Sequence, residues 1–305
     1  GARAAAADFP LRVPRGFVAR MRPGDPRDPL LLQVLAAAAE VEPVPGYGPD
    51  PLAEAGAQPV PGVLHKYRGR ALLVVTGACA VHCRYCFRRH FPYGERGLTR
   101  SAEARALAWL AGEPSIDEAI LSGGDPLTLP DDRLAGLAAR LAEVPHLRRL
   151  RLHTRLPIVL PERVDEALLA WLTGTRLAPV VVVHANHARE IDGAVAAALG
   201  RLRAAGVPVL NQSVLLAGVN DSADALAELS EALFAAGALP YYLHLLDPVA
   251  GAAHFAVPEE RARAVHAALA ARLPGYLVPR LVREVPGAPG KVPVAAPDGS
   301  APDGA

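Results

Sequence analysis

From Ala71 onward the chain alternates short β-branched or aliphatic runs with Ala/Leu/Arg segments of helical period. The pattern predicts strands at Ala71–Thr76, Glu118–Ser122, Arg149–His153, Pro179–His184, Val207–Gln212 and Tyr241–Leu245. Between and after them it predicts helices over residues 101–112, 131–143, 163–173, 188–205, 223–236 and 258–272. Breakers such as Gly206 and Gly237 fall where helices should end. Repeated strand–helix units of this kind imply a parallel sheet, either doubly wound or curled into a barrel.

The strand ends choose between the two. Gly77–Cys86 follow the first strand and Ser122–Asp125 the second. The third ends in His153-Thr154-Arg155, the fourth in His184-Ala185-Asn186 and the fifth in Asn211-Gln212; the sixth leads to His244 and Asp247. A doubly wound sheet would gather such residues at one switch point. A β/α barrel spreads them over all its C-terminal strand ends. The expected fold is therefore α/β, a partly open barrel of six units.

Residues 1–70 are rich in Pro, Ala and charge, and a helical run at Pro29–Val41 gives way to the Pro/Gly stretch Val44–Pro51. They are expected to form a helical N-terminal extension packed on a core of residues 71–294. Residues 295–305 have no apolar period and are expected to be disordered. Of the 305 residues, 51% are hydrophobic, which excludes disorder over most of the length. No apolar run approaches the roughly 18 residues of a membrane helix. No charged-then-apolar leader follows Gly1, so no export signal is expected. A formal net charge of +1 gives no bulk electrostatic case for nucleic acid.

The three cysteines, Cys79, Cys83 and Cys86, lie in one short segment. They are too few for a disulfide scaffold and point to a reducing, cytoplasmic setting and a metal. Their Cys-x3-Cys-x2-Cys spacing allows two centres. With His82 or His90 as a fourth ligand they would make a structural Cys3His zinc site. Alone they suit a [4Fe–4S] cluster with one iron left open for a substrate or cofactor. Lysine is also telling. Lys66 and Lys291 are the only two in a chain that otherwise uses Arg. A lysine kept against that bias is a candidate for amine chemistry, which a permanently protonated guanidinium cannot do.

The cysteine spacing resembles the signature of the radical S-adenosylmethionine (SAM) superfamily, whose members use a partial β/α barrel. Ser122, Gly123, Gly124 and Asp125 resemble its glycine-rich motif, which holds the methionine amino group; glycine permits the close backbone approach. Six segments, His65–Arg70, Cys79–Arg89, Leu121–Leu127, Asn211–Asn220, Tyr241–Phe255 and Arg283–Pro293, together resemble the lysine 2,3-aminomutase family. Its members combine radical SAM chemistry with pyridoxal 5′-phosphate (PLP).

The resemblance implies a partial (β/α)6 radical SAM barrel and a role for each matched residue. Cys79, Cys83 and Cys86 would carry the cluster, and His184 and Gln212 would lie at SAM. Lys291 would be the covalent anchor for PLP, with Lys66, Tyr67 and Arg70 at its phosphate. Arg88 would take the substrate carboxylate, and Asp247 and Glu284 its far ammonium. The family's lysine enzymes have Asp where this chain has Glu284. They also carry a zinc-binding Cys where it has Ser222. The segment Phe9–Met21 and the few residues after Lys291 resemble the family's short form, which makes (R)-β-lysine that a separate ligase attaches to elongation factor P. The implied partners are L-lysine, an external electron donor and, through the product, that ligase. Competing expectations are an aminomutase acting on arginine or another amino acid, and a zinc-stabilised binding module.

Overall fold

The computed structural model describes residues 1–294. The expectation for residues 295–305 lies outside them. Nine strands form one sheet in strict chain order. They are β1 (Val63–Tyr67), β2 (Arg70–Thr76), β3 (Glu118–Gly123), β4 (Arg149–Thr154), β5 (Ala178–Val183), β6 (Val209–Val214), β7 (Leu239–His244), β8 (Arg280–Arg283) and β9 (Val292–Pro293). β2 to β8 are parallel, each paired with its successor. β1 runs antiparallel to β2, and β9 antiparallel to β8. The two edge strands do not pair with each other, so the sheet curls without closing.

Crossover helices Arg100–Ala111, Asp131–Ala142, Glu166–Thr173, Gly193–Ala204, Ala223–Ala235 and Glu259–Ala270 follow β2 to β7 in turn. The six expected βα units are thus present, with one further parallel strand and two antiparallel edges beyond them. The sheet starts at Val63, inside the stretch expected to be extension.

Two helices begin later than their periodicity predicts, because local caps decide where they start. Asp165 accepts the Leu168 amide at 2.9 Å, and Asp192 accepts the Val195 amide at 2.9 Å. The residues before these caps form 3-10 turns, Pro161–Arg163 and Ala188–Glu190. The expected run at Pro29–Val41 splits into a helix at Pro29–Leu32 and a 3-10 turn at Ala38–Val41. Its own charge explains the break. Glu40 turns inward to pair with the buried Arg84 and with Arg89, and this draws the chain onto the cysteine loop instead of letting the helix continue.

The main core lies between the helices and the outer face of the sheet. Leu134, Leu137, Ala138 and Leu141 recur at helical spacing on one face of Asp131–Ala142 and are all buried there. Each buried leucine contributes about 1.5–3 kcal/mol. β4 alternates strictly: Leu150, Leu152 and Thr154 are buried, while Arg149, Arg151 and His153 take the other face. That face lines the barrel, so the interior is polar enough to receive a charged ligand. No helix among the described residues is long and apolar enough to cross a membrane.

Candidate active site

The cysteine loop leaves β2 and is held by the N-terminal extension. His82 N donates to Arg12 O at 2.9 Å, and Arg84 N to Gln33 O at 2.9 Å. Burial, and then the neighbouring Cys83, push the Cys86 thiol up to about 11. Cys79 is pushed up further by burial and then by Cys86 and Cys83. Thiols that raise one another in this way are crowded, and they ionise readily only when a cation replaces their protons. Arg155 Nη1 lies 2.8 Å from Cys83 Sγ.

In each candidate fourth ligand of a zinc site one ring nitrogen is bonded to a backbone carbonyl. His82 Nδ1 bonds Pro10 O at 2.7 Å and its ring stacks on Phe9, while His90 Nε2 contacts Ala250 O at 3.2 Å. Among the described residues no three His, Cys, Asp or Glu side chains converge at single-ion spacing. Three thiols with no fourth protein ligand fit a cluster with one open iron.

The glycine motif at the end of β3 packs directly on the segment leading to Cys79. Gly124 N donates to Thr76 O at 2.7 Å and Asp125 N to Ala78 O at 2.8 Å. Gly123 has φ +125°, and a Cβ on Gly124 would overlap the Ala78 carbonyl. Only glycine allows both. The Asp125 carboxylate is fully engaged by protein donors: Thr154 Oγ1 and Arg155 N, each at 2.6 Å, and the Leu127 and Leu156 amides, each at 3.1 Å. It ties β3 to the end of β4, so Asp125 shapes the motif rather than offering a free carboxylate.

Deeper in the barrel, His184 Nε2 meets Tyr85 OH at 2.8 Å and Asn186 Nδ2 at 3.3 Å. Burial, then the Arg155 charge, bring its pKa down to about 3, so the ring is neutral. Gln212 Nε2 and His153 Nε2 are buried and have no partner among the described residues. Buried polar atoms left unpaired are costly, and these two are available to a ligand atom.

The remaining expected residues meet where the two sheet edges face each other. Lys291 Nζ donates to Glu284 Oε1 at 2.8 Å, contacts His244 Nε2 at 3.2 Å and lies 5.3 Å from the Tyr242 ring centroid. The β8–β9 register pairs Arg283 with Val292, which sets Glu284 opposite Lys291 at the hairpin. From β1, Lys66 Nζ donates to Glu284 Oε2 at 2.8 Å and to Glu54 Oε1 at 3.3 Å, and Tyr67 OH donates to Glu284 Oε2 at 3.1 Å. Arg70 stacks over the Tyr67 ring at 4.7 Å. Arg88 grips Glu54 with two bonds of 2.8 Å and reaches Ser122 Oγ at 3.3 Å.

The charges set one another. Lys291 and then Lys66 hold the Glu284 carboxyl well below its usual range despite burial. Burial, then the Glu284 charge, raise Asp247 to about 7. Burial, then Lys291, lower His244 to about 3. A cavity of about 330 Å³ lies beside this cluster, bounded by Leu52, Ala53, Lys66, Tyr67, Glu284 and Pro286 among others. The cation and phenol of Lys66 and Tyr67 on its wall, the Arg70 guanidinium stacked on Tyr67 and the Lys291 amine bonded to Glu284 are a donor set that fits a phosphorylated aldehyde.

Sequence reasoning placed no weight on Glu54, though it is the one charged residue between Asp50 and His65. It noted His244 only as a strand-end residue and passed over Tyr85. It assigned Glu284 to a substrate ammonium, whereas here that carboxylate joins the chain's only two lysines.

Residues 73–229 match the radical SAM superfamily. The chain is 52% identical over 286 residues to an L-lysine 2,3-aminomutase of Escherichia coli K12, covering 94% of this chain and 83% of that protein. It is 49% identical over 283 residues to the L-lysine 2,3-aminomutase of Haemophilus influenzae, covering 93% and 84%. To that of Clostridium subterminale it is 35% identical over 280 residues, covering 91% and 67%.

Proposed function

Because the chain belongs to the L-lysine 2,3-aminomutase family of radical SAM enzymes, and is thus an isomerase whose family implies a [4Fe–4S] cluster and SAM, we propose that it converts L-lysine to (R)-β-lysine with PLP as a further cofactor. The observation that carries the PLP reading is Lys291, whose amine shares the Glu284 carboxylate with Lys66 and Tyr67 and touches the neutral His244, beside a cavity that Lys66, Tyr67 and Glu284 line. The product would serve the ligase that modifies elongation factor P; this rests on the likeness of Phe9–Met21 to the family's short form. Nothing in that chemistry requires leaving the cytoplasm.

When bound, the cluster and SAM supply a carbon radical that removes hydrogen from the substrate, and PLP supplies a covalent carrier whose ring stabilises the migrating nitrogen. The chain does the rest. Cys79, Cys83 and Cys86 hold the cluster, and Ser122, Gly123, Gly124 and Asp125 shape the wall beside it. Gln212 and His184 line the SAM side, where the unpaired Gln212 Nε2 donates to a ligand oxygen. Lys66, Tyr67 and Arg70 bind phosphate. Arg88 orients the substrate carboxylate, and Asp247 draws in the far ammonium, whose charge pulls its pKa back down. Glu284 is ion-paired with both Lys291 and Lys66, so it must turn towards the substrate cation before the Lys291 amine can react. The 284–291 hairpin and the strap around Glu54 cover the reaction from water.

The test is anaerobic turnover of reconstituted protein with PLP, SAM, a reductant and L-lysine, read by chiral chromatography. (R)-β-lysine is the expected product. β-Arginine from L-arginine, with no product from lysine, would overturn the substrate assignment.

A further inference from the structure

Arg88 has five N–H groups, and the structure accounts for three of them. Nε and Nη2 donate side-on to the two oxygens of Glu54, and Nη1 donates to Ser122 Oγ. The Phe87 ring lies 4.8 Å from the guanidinium carbon and covers one face. What remains is one N–H on each terminal nitrogen, the number a second carboxylate needs for a bidentate pair.

Glu54 is itself firmly placed. Only 2% of it is exposed. Its amide and that of Ala55 donate to the Asp50 carboxylate at 3.0 and 3.1 Å. Ala53, just before it, has φ +50°, the chain's one non-glycine residue among those described with left-handed backbone. Such a conformation costs about 1 kcal/mol or more and persists only where its surroundings hold it. Upstream, Gly48 N donates to Pro248 O at 3.0 Å, and Ala250 N to Gly48 O at 2.9 Å, so the same strap is fastened beside Asp247.

We infer that Glu54 is a positioning residue for substrate: it clamps one edge of Arg88 so that the other edge presents two N–H groups to the amino-acid carboxylate. The inference rests on the reading above, that Arg88 takes that carboxylate. Without Glu54 the guanidinium would swing towards other acceptors and lose the bidentate geometry. Glu54 also touches Lys66, but a change felt only there would weaken every ligand alike.

The test uses holoenzyme and equilibrium dialysis with two ligands, L-lysine and L-lysinamide, which lacks the carboxylate. Glu54→Gln should weaken L-lysine binding roughly tenfold or more, the worth of one charge-assisted bond, and leave L-lysinamide within about twofold. Glu54→Asp keeps the charge and should recover part of the loss; it also stands in if the Gln variant folds poorly. In turnover KM should rise while kcat holds. Equal weakening of both ligands, or of neither, would overturn the inference while Arg88→Gln still discriminates between them. If Arg88→Gln also fails to discriminate, the carboxylate does not sit at Arg88, and the underlying reading falls with the inference.

Discussion

Asp247 is held in a state its chemistry resists, and replacing it by Asn should show how strongly. In an unfolded chain this carboxyl loses its proton near 3.8; in the folded, ligand-free protein it keeps it to about 7, through burial first and the Glu284 charge second. Between those values the folded state holds one proton more than the unfolded state, so stability falls as pH rises, by about 1.4 kcal/mol per pH unit. The cost is absent below 3.8, about 1.6 kcal/mol at pH 5 and about 4 kcal/mol above pH 7. Asp247→Asn removes the charge and keeps the shape. The variant should therefore gain about 2–3 kcal/mol on wild type between pH 5 and pH 8. Urea unfolding of ligand-free protein at both pH values measures this through the midpoints, given a shared slope. A stability gap equal at pH 5 and pH 8 would refute the reasoning. Saturating L-lysine should shrink the gap, because an ammonium beside Asp247 restores the ionised form.

Three further outcomes are expected. Cys83→Ala should lose cluster iron and SAM cleavage together, measured by iron and sulfide content and by 5′-deoxyadenosine release; a retained cluster with full cleavage would count against the three-thiol reading. Lys291→Ala should lose the borohydride-reducible PLP adduct, and an undiminished adduct would mean that another amine carries the cofactor. Gly124→Ala drives a methyl group into the Ala78 carbonyl, so thermal unfolding should show a loss of about 1–3 kcal/mol, and SAM affinity should fall with it. An unchanged midpoint would show that the two loops part more easily than their packing implies.

Much of the barrel was readable because its signals are local. β2 to β6 are largely aliphatic runs bounded by turn residues, and in β4 and β6 burial alternates along the strand. β8 reads Arg-Leu-Val-Arg and β9 is two residues long, too short for any period to emerge. β1, with its own His, Lys and Tyr, looked like polar extension and is a strand because β2 offers it a partner. Helix starts slipped where a capping Asp outweighed the apolar period. The cysteine spacing is compact and was visible at once. Lys66 and Glu284 are 218 residues apart, and Arg88 and Glu54 are 34 apart, so no local pattern could join them. Resemblance gives roles for matched positions but not the protein partners those side chains take. Glu54 therefore carries no signal of its own, and nothing local marks Glu284 as a partner of both lysines.

The unpaired edges of the sheet also set an order of assembly. No backbone ladder spans the gap between β1 and β9; Lys66 and Tyr67 reach Glu284 across it with side chains alone. During synthesis the cysteine loop is complete by Cys86, whereas Lys291 lies 205 residues later (291 − 86). At about 5–20 residues per second, ribosomes would need roughly 10–40 s to cover that distance. At the start of that interval only β1 and β2 of the sheet have been made. The Lys291 end of the site does not yet exist, so the cysteine loop is made well before the amine that closes the other side of the sheet.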